Sequence, residues 1–145
     1  MKNLATCGPR EFVKQTSRIR KATEKWLKAT DLMNIRKNMP ELEKIPADAD
    51  DATKDRIFAE NKRKMREQSR KNASKMLDAI LDEHPDETVD LLALMCFIEP
   101  KDADKYPMED YLKAITEMIS NEAVVGFFTS LAQLGLMDSF GASKA

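Results

Sequence analysis

Few side chains in this chain of 145 residues are of a type and spacing that could do chemistry. The single histidine, His84, directly precedes Pro85, where a helix is expected to stop. A cation is stabilised at that end of a helix, so capping is its expected role rather than acid–base catalysis. Asp82 and Glu83, like Glu109 and Asp110, are sequence neighbours. Adjacent helical residues do not share a face, so neither pair is set to share a proton. Cys7 and Cys96 lie far apart with no CxxC spacing, and Cys96 sits in an apolar run, where it reads as a small hydrophobe. Phosphate-cradling Gly-rich loops, GxSxG, HExxH and calcium loops are absent. The expectation is therefore no catalytic, cofactor-binding or metal-binding residue, no cofactor, and a protein that is not an enzyme.

Two other patterns point to binding. The stretch from Lys62 to Lys75 carries a basic patch of Lys62, Arg63, Lys64, Arg66, Arg70 and Lys71. Clustered cations can neutralise phosphates. Aromatic residues for base stacking are not interleaved with them, and no helix-turn-helix pattern follows, so a solvated face is the preferred reading over nucleic acid. The second pattern is methionine. Met95, Met108, Met118 and Met137 lie in or beside the carboxy-terminal helical segments. Flexible thioethers suit an apolar surface that accepts an amphipathic helix.

Composition narrows the class. Hydrophobic residues make up 42% and charged residues 34%, with 4 Gly and 6 Pro, which excludes collagen-like and low-complexity chains. Aromatics at 6% and few β-branched runs argue against an all-β sandwich. No apolar run is long enough to span a membrane, and the first residues lack the apolar core of a signal peptide, so a cytoplasmic protein is expected. The net charge of −1 hides an asymmetry: residues 1–77 hold 20 Lys+Arg and 11 Asp+Glu, and residues 78–145 hold 4 and 14. Opposite halves can pair within a chain or head to tail between copies, so self-association is expected.

Periodicity supplies the elements that would position these groups. Pro9 suits a first helical position, and Phe12, Thr16, Ile19, Thr23, Trp26, Leu27 and Thr30 recur at spacings of three and four. This predicts a basic amino-terminal helix within residues 1–37. Pro40 and Pro46 mark an acidic linker over 38–53, with Asp50 or Asp51 capping the next helix. That helix is expected over about 52–83, polar all round at first and apolar from Ala73, Met76, Leu77, Ile80 and Leu81 onward. Asp86 is expected to cap a central helix that runs to Ile98 and stops at Glu99-Pro100. Pro107 opens a helix with Leu112, Ile115, Met118 and Ile119 inward, and Asn121 caps a last one with Ala123, Val124, Phe127, Phe128, Leu131 and Leu134. The expected fold is all-α: a helical domain over 54–136 whose compact part is a bundle of about four helices (73–136), preceded by a long basic helical arm and followed by a flexible tail, 137–145.

The segments Met76–Thr88, Leu91–Pro100, Met108–Leu112 and Asn121–Ala132 resemble tail assembly chaperones encoded by long-tailed phages and prophages of Gram-positive bacteria. The likeness covers about residues 73–135. It implies a non-enzymatic role in viral tail assembly: binding the hydrophobic, helical tape measure protein in the host bacterial cytoplasm before tail tube polymerisation. The partner-binding residues expected on this basis are Leu92, Met95, Phe97, Met118, Val124, Phe127, Phe128 and Leu131. A structural tail or baseplate component and a basic-armed nucleic-acid-associated protein are the alternatives.

Overall fold

The structure, a computed structural model, describes residues 1–135; the expected tail 137–145 lies outside them. Among the described residues the secondary structure is helical, without strands. The chain divides into two compact units. One holds Met1–Thr30 together with the chain from His84 onward, and the other is Asp31–Glu83.

The first unit is built from helix α1 (Pro9–Thr30), α4 (Pro85–Met95), a 3-10 turn (Pro100–Lys105), α5 (Met108–Ile119) and α6 (Glu122–Gln133). The stripe read from the sequence lies on the face α1 buries: Thr16 and Thr30 are buried, Phe12, Ile19 and Trp26 are half-buried, and Gln15, which the stripe did not include, is buried beside them. The hydroxyls of Thr23 and Thr30 donate to the carbonyls of Ile19 and Trp26 one turn back, which lets a polar residue sit inward at little cost. This face meets α4. The Gln15 amide donates to the Leu94 carbonyl, and the Trp26 indole N–H donates to the Thr88 hydroxyl at 3.0 Å. Residues 1–30 of the segment expected as a basic arm are therefore part of the same compact unit as α4–α6, and the rest of that segment lies in the other unit.

Helix α4 ends earlier than the sequence suggests, at Met95 rather than Ile98. The Ile98 N–H reaches the Ala93 carbonyl at 2.9 Å and the Phe97 N–H reaches that of Leu94 at 3.3 Å. This is the Schellman closure, with Phe97 at φ +58 where glycine is usual. The left-handed conformation costs roughly 1–2 kcal/mol for a residue with a Cβ. Packing of Phe97 against the Leu4, Met118 and Val124 cluster offsets it, with the Lys2 ammonium 5.2 Å from the ring centre.

The inward face of α5 also differs from expectation. Tyr111, Ala114 and Met118 are buried, whereas Leu112 is 56% and Ile119 60% exposed. The small residues Ala93, Cys96, Ala103 and Ala114 pack in one cluster with Tyr111, whose hydroxyl donates to the Ala103 carbonyl at 2.7 Å. Ala and Cys there let α4 and α5 come close, which turns Leu112 outward. Asn121 caps α6 as expected, its side-chain oxygen accepting from the N–H groups of Ala123 and Val124 at 3.0 and 3.1 Å.

The second unit holds α2 (Leu32–Lys37) and α3 (Asp51–Leu77), followed by a π turn (Asp78–Glu83). Asp50 caps α3, accepting from the Thr53 N–H at 2.8 Å. The acidic linker is held to α3 by two asparagines. Asn61 makes a reciprocal pair with the Glu43 backbone, at 2.9 and 3.0 Å, and Asn72 donates to the Asn38 carbonyl at 2.9 Å. The buried side of α3 is thus Ile57 and Asn72, followed by Ala79 in the π turn. The expected apolar stripe is rotated outward: Ala73, Leu77 and Leu81 are exposed, and Met76 and Ile80 half-buried. The unit boundaries fall at Thr30 and Glu83, not at Ala73.

Replacing Gln15 by Ala removes one buried donor, and replacing Asn121 by Ala removes a helix cap. Each is expected to destabilise the fold by about 1 kcal/mol, read as a lower urea midpoint at unchanged m-value.

Candidate functional site

The apolar surface of α5 and α6 is divided between core and furrow. Met118 and Val124, two of the expected partner-binding residues, are buried against Leu4 of the amino-terminal segment. Phe127 and Phe128 form an edge-to-face aromatic group with Phe12 of α1, with ring centres 5.0 Å apart for Phe12–Phe127 and 5.4 Å for Phe127–Phe128. Such pairs add roughly 0.5–1.5 kcal/mol beyond area burial. Met95 and Phe97 pack into the same cluster, and Leu92 and Leu131 are half-buried. The chain's own first residues therefore cover much of the surface expected to receive a partner.

What stays open is a neighbouring apolar furrow of about 350 Å³. Its floor is Met118, Val124 and Phe128, and its walls are Ile119, Val125, Thr129 and Ala132. Three of the eight expected residues, Met118, Val124 and Phe128, line this furrow, but the exposed walls come from residues that the dominant α6 stripe did not include. The signal for them is a second periodicity: Val125, Thr129 and Ala132 at spacings of four and three, and Met108, Leu112, Ile115 and Ile119 at four, three and four. The second series gives α5 an outer apolar edge, on which Met108, Leu112 and Ile119 are exposed. Glu109, paired with Lys113 at 2.9 Å, and Glu117 lie beside it. A furrow of this composition binds by area and shape. It holds no convergent polar groups to fix a small molecule.

The chemistry-capable residues sit elsewhere. His84 occupies the capping position of α4 rather than the end of the helix before it, with Nδ1 3.7 Å from the Glu87 carboxylate; Asp86 lies in the first turn instead of capping. Glu87, Asp90, Lys25 and the Trp26 ring line a cavity of about 170 Å³ between α1 and α4. Among the described residues, no three of His, Cys, Asp and Glu come together as a metal-binding group. Cys96 is fully buried, and burial pushes its thiol up to about 11. Burial also raises the Cys7 thiol, which is part-exposed and bonded to the Leu4 carbonyl at 3.6 Å.

The basic patch lies on α3, but its members are not equivalent. Arg63 is tied to Glu60 and Glu67, and Lys64 is half-buried. Lys62, Arg66 and Arg70 follow one another at spacings of four on the exposed side, without ion pairs among the described residues. Phe58, one turn before Lys62, is the exposed aromatic neighbour.

Among the described residues no helix is long and apolar enough to cross a membrane. The chain matches no family of known proteins, no curated protein and no solved structure.

The two thiols should separate cleanly in a labelling experiment. At pH 8, Cys7 is expected to react with a maleimide in the folded protein, while Cys96, buried and held protonated, reacts only in denaturant. Mass spectrometry of the labelled peptides reads the order.

Proposed function

We propose that this chain is a non-enzymatic assembly chaperone that holds an apolar helix of another protein in the furrow of α5 and α6. The observation that carries the reading is the open wall of Ile119, Val125, Thr129 and Ala132, with Met108 and Leu112 exposed earlier on the same helix as Ile119, α5. An amphipathic helix laid in a groove presents anchors at spacings of three and four, and a furrow between two helices accepts them. Met108 and Met118 supply side chains that adapt to different anchors. The sequence likeness to phage tail assembly chaperones supports the tape measure protein as the client we propose, bound in the host bacterial cytoplasm before tail tube polymerises around it.

The amino-terminal segment gives this reading a physical limit. Leu4 is 4% exposed beneath Met118 and Val124. A client helix that sits in the furrow rests on this floor and does not replace it, so the walls and the α5 edge set the affinity.

Co-expressed tape measure protein is expected to co-purify with the chain, to stay soluble, and to remain bound after nuclease treatment. Ile119→Asp with Val125→Asp puts two charges on exposed walls and is expected to weaken client binding by roughly tenfold or more at unchanged helical content. A partner lost to nuclease, or binding indifferent to both substitutions, would refute the reading.

A further inference from the structure

The carboxy-terminal end of α3 carries an exposed seam that the furrow does not use. Leu77 is 55% and Leu81 60% exposed, and Ala73 beside them is exposed as well. Arg66, Arg70, Ala73 and Leu77 follow at spacings of four, three and four, which places them on one side of the helix, as in a coiled-coil seam. The π turn is wider than an α turn, with its bonding at i→i+5, and it keeps Leu81 in line with Leu77. The other side of α3 is taken up by Ile57, Asn61 and Asn72, which hold the linker.

Charge along this seam is ordered. Arg66 and Arg70 precede the leucines, and Asp78 and Asp82 each directly follow one of them. None of the four makes an ion pair among the described residues. Within one chain the order is unfavourable, because carboxylates stand at the negative end of the helix dipole; the π turn itself holds no basic side chain, and Lys75 in the last turn of α3 makes no ion pair with them among the described residues. A complementary occupant needs an apolar centre with carboxylates facing the arginines and cations facing the aspartates. Reversing the direction of this same helix supplies both.

We propose that α3 pairs antiparallel with α3 of a second copy, about a two-fold axis between Ala73 and Leu77. With the small Ala73 of one copy against Leu77 of the other, a rise of 1.5 Å per residue sets Arg70 opposite Ile80 of the second copy, between its Asp78 and Asp82. Arg70, Asp78 and Asp82 project to the same flank, and in an antiparallel pair like flanks meet. The two-fold repeats the contact, so the interface is isologous and closes at two copies. The sequence asymmetry alone allows pairing within a chain or head to tail between copies; the seam makes a closed pair instead. The pairing is independent of the α5–α6 furrow and of what binds there.

Sedimentation equilibrium on the full chain tests it. The wild type is expected to gain mass with concentration, to stop at two copies, and to pair less tightly at about 0.5 M salt, where exposed charges are screened. Arg66→Glu with Arg70→Glu, and separately Asp78→Arg with Asp82→Arg, should each weaken pairing by roughly tenfold or more. An equal mixture of the two variants should recover it, since every facing pair is again opposite in sign. Leu77→Asp, at an exposed position, should also give a monomer while circular dichroism shows the helix intact. A wild type that stays monomeric at millimolar concentration overturns the proposal. So does a mass that grows past two copies, pairing that Leu77→Asp leaves unchanged, or a mixture of folded charge variants that fails to pair.

Discussion

The larger unit depends on the seating of α1 against α4. Three contacts of different kinds define it: the Gln15 amide on the Leu94 carbonyl, the forked Arg18–Glu99 pair with both bonds at 3.2 Å, and the Trp26 indole on Thr88. Gln15 meets Leu94 and Trp26 meets Thr88, so the two helices run antiparallel. The Arg18–Glu99 pair is about half exposed, and pairs of that kind contribute about 0–1 kcal/mol. Burying an aliphatic or aromatic side chain contributes roughly 1.5–3 kcal/mol. Leu4, Phe12 and Ile19, packed with Met118, Val124 and Phe128 of α5 and α6, therefore dominate the hold on the amino-terminal segment, and the polar contacts around α4 set its direction and register. Without α1 the floor of the furrow would lie open to water. The amino-terminal residues thus decide which part of the α5–α6 surface is core and which part is available.

This seating also recasts the charge asymmetry. Residues 1–30 carry eight Lys+Arg against two Asp+Glu, and the chain from His84 onward carries four against eleven. Folded into one unit they come to −1. The other unit, Asp31–Glu83, has twelve of each. Opposite charge that is separated in sequence is brought together inside the larger unit, so the polarity between chain halves does not become a difference in net charge between the units. What remains is local order, such as the arginines and aspartates on either side of Leu77.

The all-α class, the α1 face, the Asp50 and Asn121 caps and most helix limits were legible in the sequence, because they rest on local periodicity and capping chemistry. The grouping of segments was not. Nothing in local pattern says that α1 returns to α4 across the intervening Asp31–Glu83, or that Asn61 and Asn72 would hold the acidic linker. The choice of face on α5 was also hidden. Hydrophobicity favours Leu112 and Ile119 as inward residues, but the small Ala114 and the hydroxyl of Tyr111 decide the approach to α4. The furrow residues were missed for the same reason: Val125, Thr129 and Ala132 form a weaker second stripe beside a stronger one, and only packing shows which of the two is left uncovered.

Native-state hydrogen exchange on the full chain addresses the seating of α1 most directly. Amides of α1 from Phe12 to Trp26 and those of α4 from Val89 to Leu94 should share one level of protection, and Gln15→Ala should lower both together. Rapid exchange along α1 with α4 still fully protected would mean that the amino-terminal helix is a detached arm, and the account of the core and of the furrow floor would fail.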